Sequence, residues 1–192
     1  VTQEPIGAPP PPPKTRGGMK AVLGLVAGLG LAGVVYLGVT EAQRSRLVPD
    51  GMAAPAMEME RLGGGTLKLE ELRGQVVMLD FWATWCPPCR EEMPALVKLA
   101  KEYEPQGLVF VAASRDDGPR APRLVEAFVK RNLPDLRPYV VYASDEVARA
   151  FQVTALPTLY FLDREGKVMD AQRGALSEDA LRRRIERALK QQ

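Results

Sequence analysis

Val76-Val77-Met78-Leu79-Asp80-Phe81-Trp82-Ala83-Thr84-Trp85-Cys86-Pro87-Pro88-Cys89-Arg90-Glu91-Glu92-Met93-Pro94 is the stretch on which the fold turns. Its first seven residues are a nearly continuous apolar run, the pattern of a strand buried on both faces. From about Pro87 to Tyr103 the spacing changes, and Met93, Leu96, Val97, Leu99, Ala100 and Tyr103 recur on one side of a helix. Cys86 and Cys89 stand at the junction. A sulfur there meets the unpaired N–H groups and positive dipole end of a helix start, which stabilise a thiolate and lower the thiol pKa from about 8.5. Two intervening residues let the sulfurs close a small disulfide. Pro87 and Pro88 suit the first turn, whose N–H groups have no intrahelical partner. The context predicts redox chemistry, with Cys86 as an exposed nucleophile and Cys89 as a buried resolving thiol. The bland alternatives are two inert core thiols or half a zinc site completed by another chain.

On either side the pattern is regular. Met57 to Glu60 and Thr66 to Leu69 alternate around Gly63-Gly64-Gly65, a hairpin signal. Leu108 to Ala113 reads as a second buried strand, Arg123 to Asn132 as a helix, Tyr139 to Tyr142 as a short strand and Asp145 to Phe151 as a short helix. Thr158 to Asp163 and Lys167 to Gln172 flank Arg164-Glu165-Gly166 as a second hairpin. Ser177 is placed to cap a final helix. Strand and helix alternate in the middle and hairpins stand at the ends, so the expected class is α/β, with a mixed central sheet flanked by helices.

Composition removes other chemistries. The 192 residues carry 26 Lys+Arg against 24 Asp+Glu, which gives no electrostatic case for binding nucleic acid. There is no histidine, so Cys–His and Ser–His–Asp catalysis and His-ligated metals are excluded. Two cysteines cannot build a disulfide scaffold or a four-cysteine metal site within one chain. No nucleotide-binding glycine loop occurs, and no metal or other cofactor is expected.

Ahead of the folded part, residues 1–20 contain the run Pro9 to Pro13 and read as a disordered or polyproline II tail. Residues 21–40 contain no charge, and twenty residues of helix reach about 30 Å, enough to cross a hydrocarbon core. The expectation is an uncleaved transmembrane anchor; a cleaved signal peptide is the rival. Lys14, Arg16 and Lys20 before it and Arg44 and Arg46 after it bias the N-terminus towards the cytoplasm. Residues 41–56 read as a linker, and residues 57–192 as the catalytic domain.

Several separated motifs resemble one family. They are Leu72 to Val77, the stretch Phe81 to Pro94, Val153-Thr154-Ala155-Leu156-Pro157-Thr158 and Phe161 to Lys167. Together they are similar to the membrane-anchored TlpA/ResA-like thiol–disulfide oxidoreductases of the thioredoxin superfamily. The resemblance implies a thioredoxin-like fold. It implies that Pro157 is the cis-proline beside the active-site disulfide, and that the backbone of Leu156 pairs with an extended substrate segment. Trp85 matches the aromatic bordering the cysteine pair, and Pro94 the proline that kinks the active-site helix. Family partners would be protein thiols and disulfides, apocytochrome c among them, and a membrane electron donor that re-reduces the pair. The setting would be a bacterial inner membrane with the catalytic domain in the periplasm. The cytochrome c maturation branch tends to carry Glu after the cis-proline; Thr158 stands here.

Asp80 is the most informative single residue. A lone carboxyl inside an apolar strand is expensive to ionise, so its pKa should rise; the alternative is a solvated carboxylate at the strand end. Its place matches thioredoxin's buried aspartate, which helps to deprotonate the resolving cysteine. Thioredoxin pairs that aspartate with a lysine on the next strand, whereas Leu108 to Ala113 offers none and Arg115 is the nearest basic residue. The leading expectation is a disulfide reductase. A disulfide-forming oxidant of the same fold is the alternative. Less favoured are a peroxiredoxin-like peroxidase, which expects Thr where Ala83 stands, and a metal- or haem-delivery chaperone, whose copper form expects wider cysteine spacing and a His.

The uncharged span carries its own test. The full-length chain should stay with membranes through a high-salt wash and need detergent for release. Recovery of a soluble form starting near Gln43 would show cleavage instead.

Overall fold

The computed structural model describes residues 47–190 and, ahead of them, only the helical Gly30 and Gly33. The expected tail, membrane span and first part of the linker lie outside the described residues. Among those described, no helix is long and apolar enough to cross a membrane. The chain divides into two units, residues 1–44 and 45–192, and the second contains everything described below.

Its elements are β1 (Glu58–Arg61), β2 (Thr66–Lys68), β3 (Val76–Trp82), α1 (Pro87–Tyr103), β4 (Leu108–Ser114), α2 (Ala121–Asn132), β5 (Val140–Tyr142), α3 (Asp145–Ala150), β6 (Thr158–Leu162), β7 (Val168–Arg173) and α4 (Glu178–Lys190). The strands form one sheet in the order β2-β1-β5-β4-β3-β6-β7. β3, β4 and β5 run parallel, and every other pairing is antiparallel, so the sheet is mixed as expected. The first hairpin turns at Gly63, Gly64 and Gly65, all with positive φ, a conformation that costs a side-chain-bearing residue and not glycine. α2 begins two residues earlier than the apolar periodicity suggests, because Pro122 suits a first helical turn. Tyr139, expected at the start of a strand, closes a short 3₁₀ segment instead.

Alternation along β3 divides the core. Val76, Met78 and Trp82 face a cluster with Cys89, Met93, Leu96 and Leu99 of α1, Val125 and Val129 of α2, and Leu181 and Ile185 of α4. Val77, Leu79 and Phe81 face the other cluster, with Val111, Phe151 and Tyr160. Being even-numbered, Asp80 projects to the side of β3 that α1 covers.

Two registers build the site. Trp82 lies opposite Ser114 on β4, so the residues after both strands emerge side by side at the carboxyl ends of a parallel pair, the usual place for chemistry in an α/β sheet. Phe81 lies opposite Thr158 on β6, which brings Leu156 and Pro157 to that same end.

The segment read as linker is partly folded in. Gly51 N–H donates to Val168 O at 2.7 Å, Ala54 N–H to Gly166 O at 2.9 Å, and Ala53 bridges Lys167. Val48 is buried, and its N–H donates at 3.2 Å to the Tyr160 hydroxyl, which itself donates to Phe151 O. Backbone hydrogen bonds leave no side-chain pattern, so composition alone did not show this docking.

Tyr160→Phe keeps the ring between Phe81 and Phe151 but strands two buried backbone groups. The expected loss is about 1–3 kcal/mol, read as a lower urea midpoint with an unchanged slope. A midpoint equal to wild type would show that water replaces the hydroxyl.

Candidate active site

Between the end of β3 and the start of α1 the chain makes one turn, closed by Cys86 N–H donating to Ala83 O at 3.2 Å. Cys86 caps α1 in an extended conformation, and its Sγ accepts the Cys89 N–H at 3.3 Å. Pro87 and Pro88 occupy the first turn, where they remove no helical hydrogen bond. A disulfide joins Cys86 to Cys89. Farther along, Pro94 sits inside the helix on its exposed side and leaves the carbonyl one turn earlier without its usual donor.

Cys86 retains 4 % of its surface and Cys89 none. The expected order of exposure holds, but Cys86 is not an exposed residue in the disulfide form. Trp85 is 65 % exposed, among the largest apolar surfaces offered to solvent by the described residues. Trp85, Cys86, Pro87, Pro88, Val153 and Leu156 line one open cleft of about 660 Å³, with Arg115 and Asp117 on its rim. The Leu156–Pro157 bond is cis, and Pro157 itself is buried behind the cleft wall. The cleft therefore gathers sulfur, aromatic ring and the backbone before the proline, though these lie some 70 residues apart in sequence.

Asp80 is absent from the cleft and lies beneath it. It is 1 % exposed, and neither carboxylate oxygen has a hydrogen-bond partner among the described residues. Its register neighbours are Ala112 and Leu159, which offer no side-chain donor. Burial pushes its pKa well above the ordinary carboxylate range, and the nearby negative charge of Glu92 pushes it further. The solvated alternative is thus excluded. Arg115, the nearest basic residue in sequence, turns away: its guanidinium donates to Ala143 O and pairs with Asp145 at 2.7 Å.

Glu92 was not singled out by its sequence. It is 5 % exposed, burial raises its pKa, and a 2.9 Å hydrogen bond from Leu176 N–H to Oε1 partly offsets that rise. A signal was present, since Glu92 follows Cys89 by three residues and shares its helix face with the apolar positions. Two buried carboxyls therefore occupy the region behind the cysteine pair, and among the described residues neither is paired with a cation.

Comparison with known proteins agrees with this geometry. Residues 51–171 match the AhpC/TSA family. The chain is 31 % identical over 160 residues to the thiol-disulfide oxidoreductase ResA of Bacillus subtilis (strain 168), covering 83 % of this chain and 85 % of that one. It is 32 % identical over 139 residues to the thioredoxin-like protein YneN of the same strain, covering 72 % and 80 %. Among solved structures, it is similar to a thiol:disulfide interchange protein DsbE from Chlorobium tepidum, with a TM-score of 0.67 and 29 % identity over 74 % of this chain and 99 % of that one.

The two carboxyls give a pH signature. An unfolded aspartic acid titrates near 3.9, and Asp80 in the fold titrates well above that. The native state then binds more protons than the unfolded state between the two values, so its stability is complete below about pH 4 and falls as pH rises through the folded pKa. Asp80→Asn should remove part of that fall. Its gain should be small at about pH 3.5, below the unfolded pKa, and reach on the order of 1–3 kcal/mol at about pH 8. Urea unfolding of the oxidised protein at both pH values reads this, and an equal gain at each would refute a protonation effect.

Proposed function

We propose that this chain, which belongs to the AhpC/TSA family and is a TlpA/ResA-like thiol–disulfide oxidoreductase of the thioredoxin superfamily, works as a disulfide reductase outside the cytoplasm. The observation that carries the direction is Asp80, a buried carboxyl on the helix side of β3 with no hydrogen-bond partner among the described residues.

In the reduced enzyme the Cys86 thiolate attacks one sulfur of a substrate disulfide. A bond forms between Cys86 and that sulfur, the substrate S–S bond breaks, and the other substrate sulfur leaves as a thiolate. Cys89 then gives its proton to the Asp80 carboxylate and attacks Cys86. The Cys86–Cys89 bond forms, the mixed disulfide breaks, and the second substrate thiolate leaves. Two electrons have passed to the substrate, and the pair stands oxidised. A dithiol donor in the membrane must restore it. The substrate is a protein segment laid along the cleft, its backbone beside Leu156 and its side chains against Trp85. The span at residues 21–40 would hold the domain on the outer side of the inner membrane.

A second reading reverses the flow. The hydrogen bond from Cys89 N–H to Cys86 Sγ favours a thiolate, and a stabilised reduced form makes an oxidant. The reduction potential of the full-length protein decides between the two. A peroxidase finds less support, because Ala83 carries no hydroxyl where that chemistry expects one.

Asp80→Asn should slow insulin disulfide reduction roughly 10–100-fold, as expected for loss of a general base. It should leave the alkylation rate of Cys86 in the reduced protein unchanged. Wild-type turnover in the mutant from about pH 6 to 9 would remove Asp80 as proton acceptor, and the oxidant reading would then draw level.

A further inference from the structure

Asp116 lies two residues beyond β4 and outside the cleft that holds Cys86. It is 8 % exposed, and its carboxylate is fully engaged. Oδ2 accepts the Thr84 backbone N–H at 2.9 Å and the Ser114 hydroxyl at 2.9 Å, and Oδ1 accepts the Thr84 hydroxyl at 2.5 Å. Asp116 N–H also donates to Ser114 Oγ at 3.2 Å. Thr84 belongs to the turn between β3 and α1, two residues before Cys86. The sheet holds the chain as far as Trp82, whose carbonyl accepts Arg115 N–H at 2.7 Å. Beyond that point, both donors of Thr84 go to Asp116.

We propose that Asp116 is a positioning residue for the redox site: by gripping Thr84 through main chain and side chain, it fixes the turn that sets Cys86 Sγ against the Cys89 N–H, the first N–H of α1 after its two prolines. The reasoning is geometric. Cys86 can cap α1 only in its extended conformation, with Sγ 3.3 Å from Cys89 N. The entry angle of the turn decides whether that approach is kept, and a stabilising N–H···S contact weakens steeply with misalignment. Charge-assisted hydrogen bonds to a buried carboxylate are the strong kind, and three on one group make a stiff support. The site tolerates little looseness, since displacements near 1 Å at a reacting atom cost about 100-fold in rate. The inference rests on Cys86 as the attacking sulfur.

The other charged groups of the adjoining recess are Glu58, Glu60, Arg115, Asp117 and Asp145. Their presence makes a purely electrostatic role for Asp116 the natural competitor. The two roles differ in sign. A negative charge near the cleft raises the thiol pKa, so deleting it would lower that pKa; a lost support removes stabilising contacts and raises it.

The test is the pH dependence of Cys86 alkylation in the reduced full-length chain, together with kcat/KM for insulin reduction. Asp116→Ala should raise the Cys86 pKa by about one unit, a tenfold smaller thiolate fraction at a given lower pH, and reduce kcat/KM at least as much. Asp116→Asn retains an acceptor for Thr84 N–H and should fall between it and wild type. Thr84→Val, which loses only the hydroxyl, should shift the pKa the same way by less. The double variant Asp116→Ala with Thr84→Val should be no worse than Asp116→Ala alone, because both act through one contact. A lower melting temperature with unchanged Cys86 pKa and kcat/KM would overturn the proposal, and so would a lowered pKa in both Asp116 variants. Should Asp116→Ala fail to fold, Thr84→Val and Ser114→Ala carry the same test. If Cys89 labels first in the wild-type protein, the assignment of the attacking sulfur fails, and this proposal falls with it for that separate reason.

Discussion

Everything in this domain is arranged around a sulfur placed at the start of a helix. The Cys89 N–H meets Cys86 Sγ at 3.3 Å because α1 begins directly after a fully buried strand, with no long loop between them. A buried strand cannot shift without moving the core on both its faces, and a helix start cannot be moved without moving the helix. The geometry of the cysteine pair is thus set by the two most rigid elements available. The parallel partner β4 then brings Asp116 to the turn, and the antiparallel partner β6 brings Leu156 and Pro157. Hydrogen-bond registers, each fixed by alternation of side chains, convert sequence separations of 30 to 70 residues into one cleft.

Much of this was legible in the sequence because it depends on periodicity and local chemistry. The apolar run Val76–Trp82 could only be a buried strand, and its burial in the structure is complete. Pro87 and Pro88 declared a helix start, and the spacing of the apolar residues set its length to Tyr103. Its apolar neighbours favoured burial of Asp80 over a solvated strand end, and the structure decides for burial. What stayed hidden has a common cause: it rests on contacts between polar groups distant in sequence. Asp116 grips Thr84 across 32 residues, and Leu176 N–H reaches Glu92 across 84. The docking of residues 48–54 combines backbone hydrogen bonds, which every sequence possesses, with the single buried side chain of Val48. Tyr160 illustrates the limit well, since its hydroxyl closes two such contacts while its ring satisfies an ordinary apolar pattern.

The polar groups of the interior are unequal in kind. Asp116 has its charge met by three donors, so its burial is compensated. Among the described residues Asp80 has none, and Glu92 has the Leu176 N–H. An uncompensated carboxyl in a low-dielectric interior costs stability whenever it ionises, and a core of similar volume without it would be more stable. Structural need therefore explains Asp116 at least in part, but it does not explain Asp80. A group retained at a cost to stability points to a demand from the chemistry.

That demand has a physical form. The proposed reduction cycle needs two thiols of unequal acidity, so that one attacks first and the other waits. Cys86 lies at the positive end of α1 with Sγ accepting an N–H, a setting that favours a thiolate once the disulfide is opened. Cys89 is wholly buried, and Glu92 follows it by one helical step with Asp80 on the strand facing that helix. Desolvation and neighbouring negative charge both push a thiol pKa up. The sulfurs are close enough to bond, yet their environments act on their protons in opposite senses. In that cycle the proton of Cys89 must pass to a base, and Asp80, a buried carboxyl whose pKa lies well above the ordinary carboxylate range, is the group proposed for it. The same burial that makes an ionised Asp80 unfavourable for the fold thus raises its proton affinity, and the unequal settings of the two sulfurs follow from where the strand ends and the helix begins.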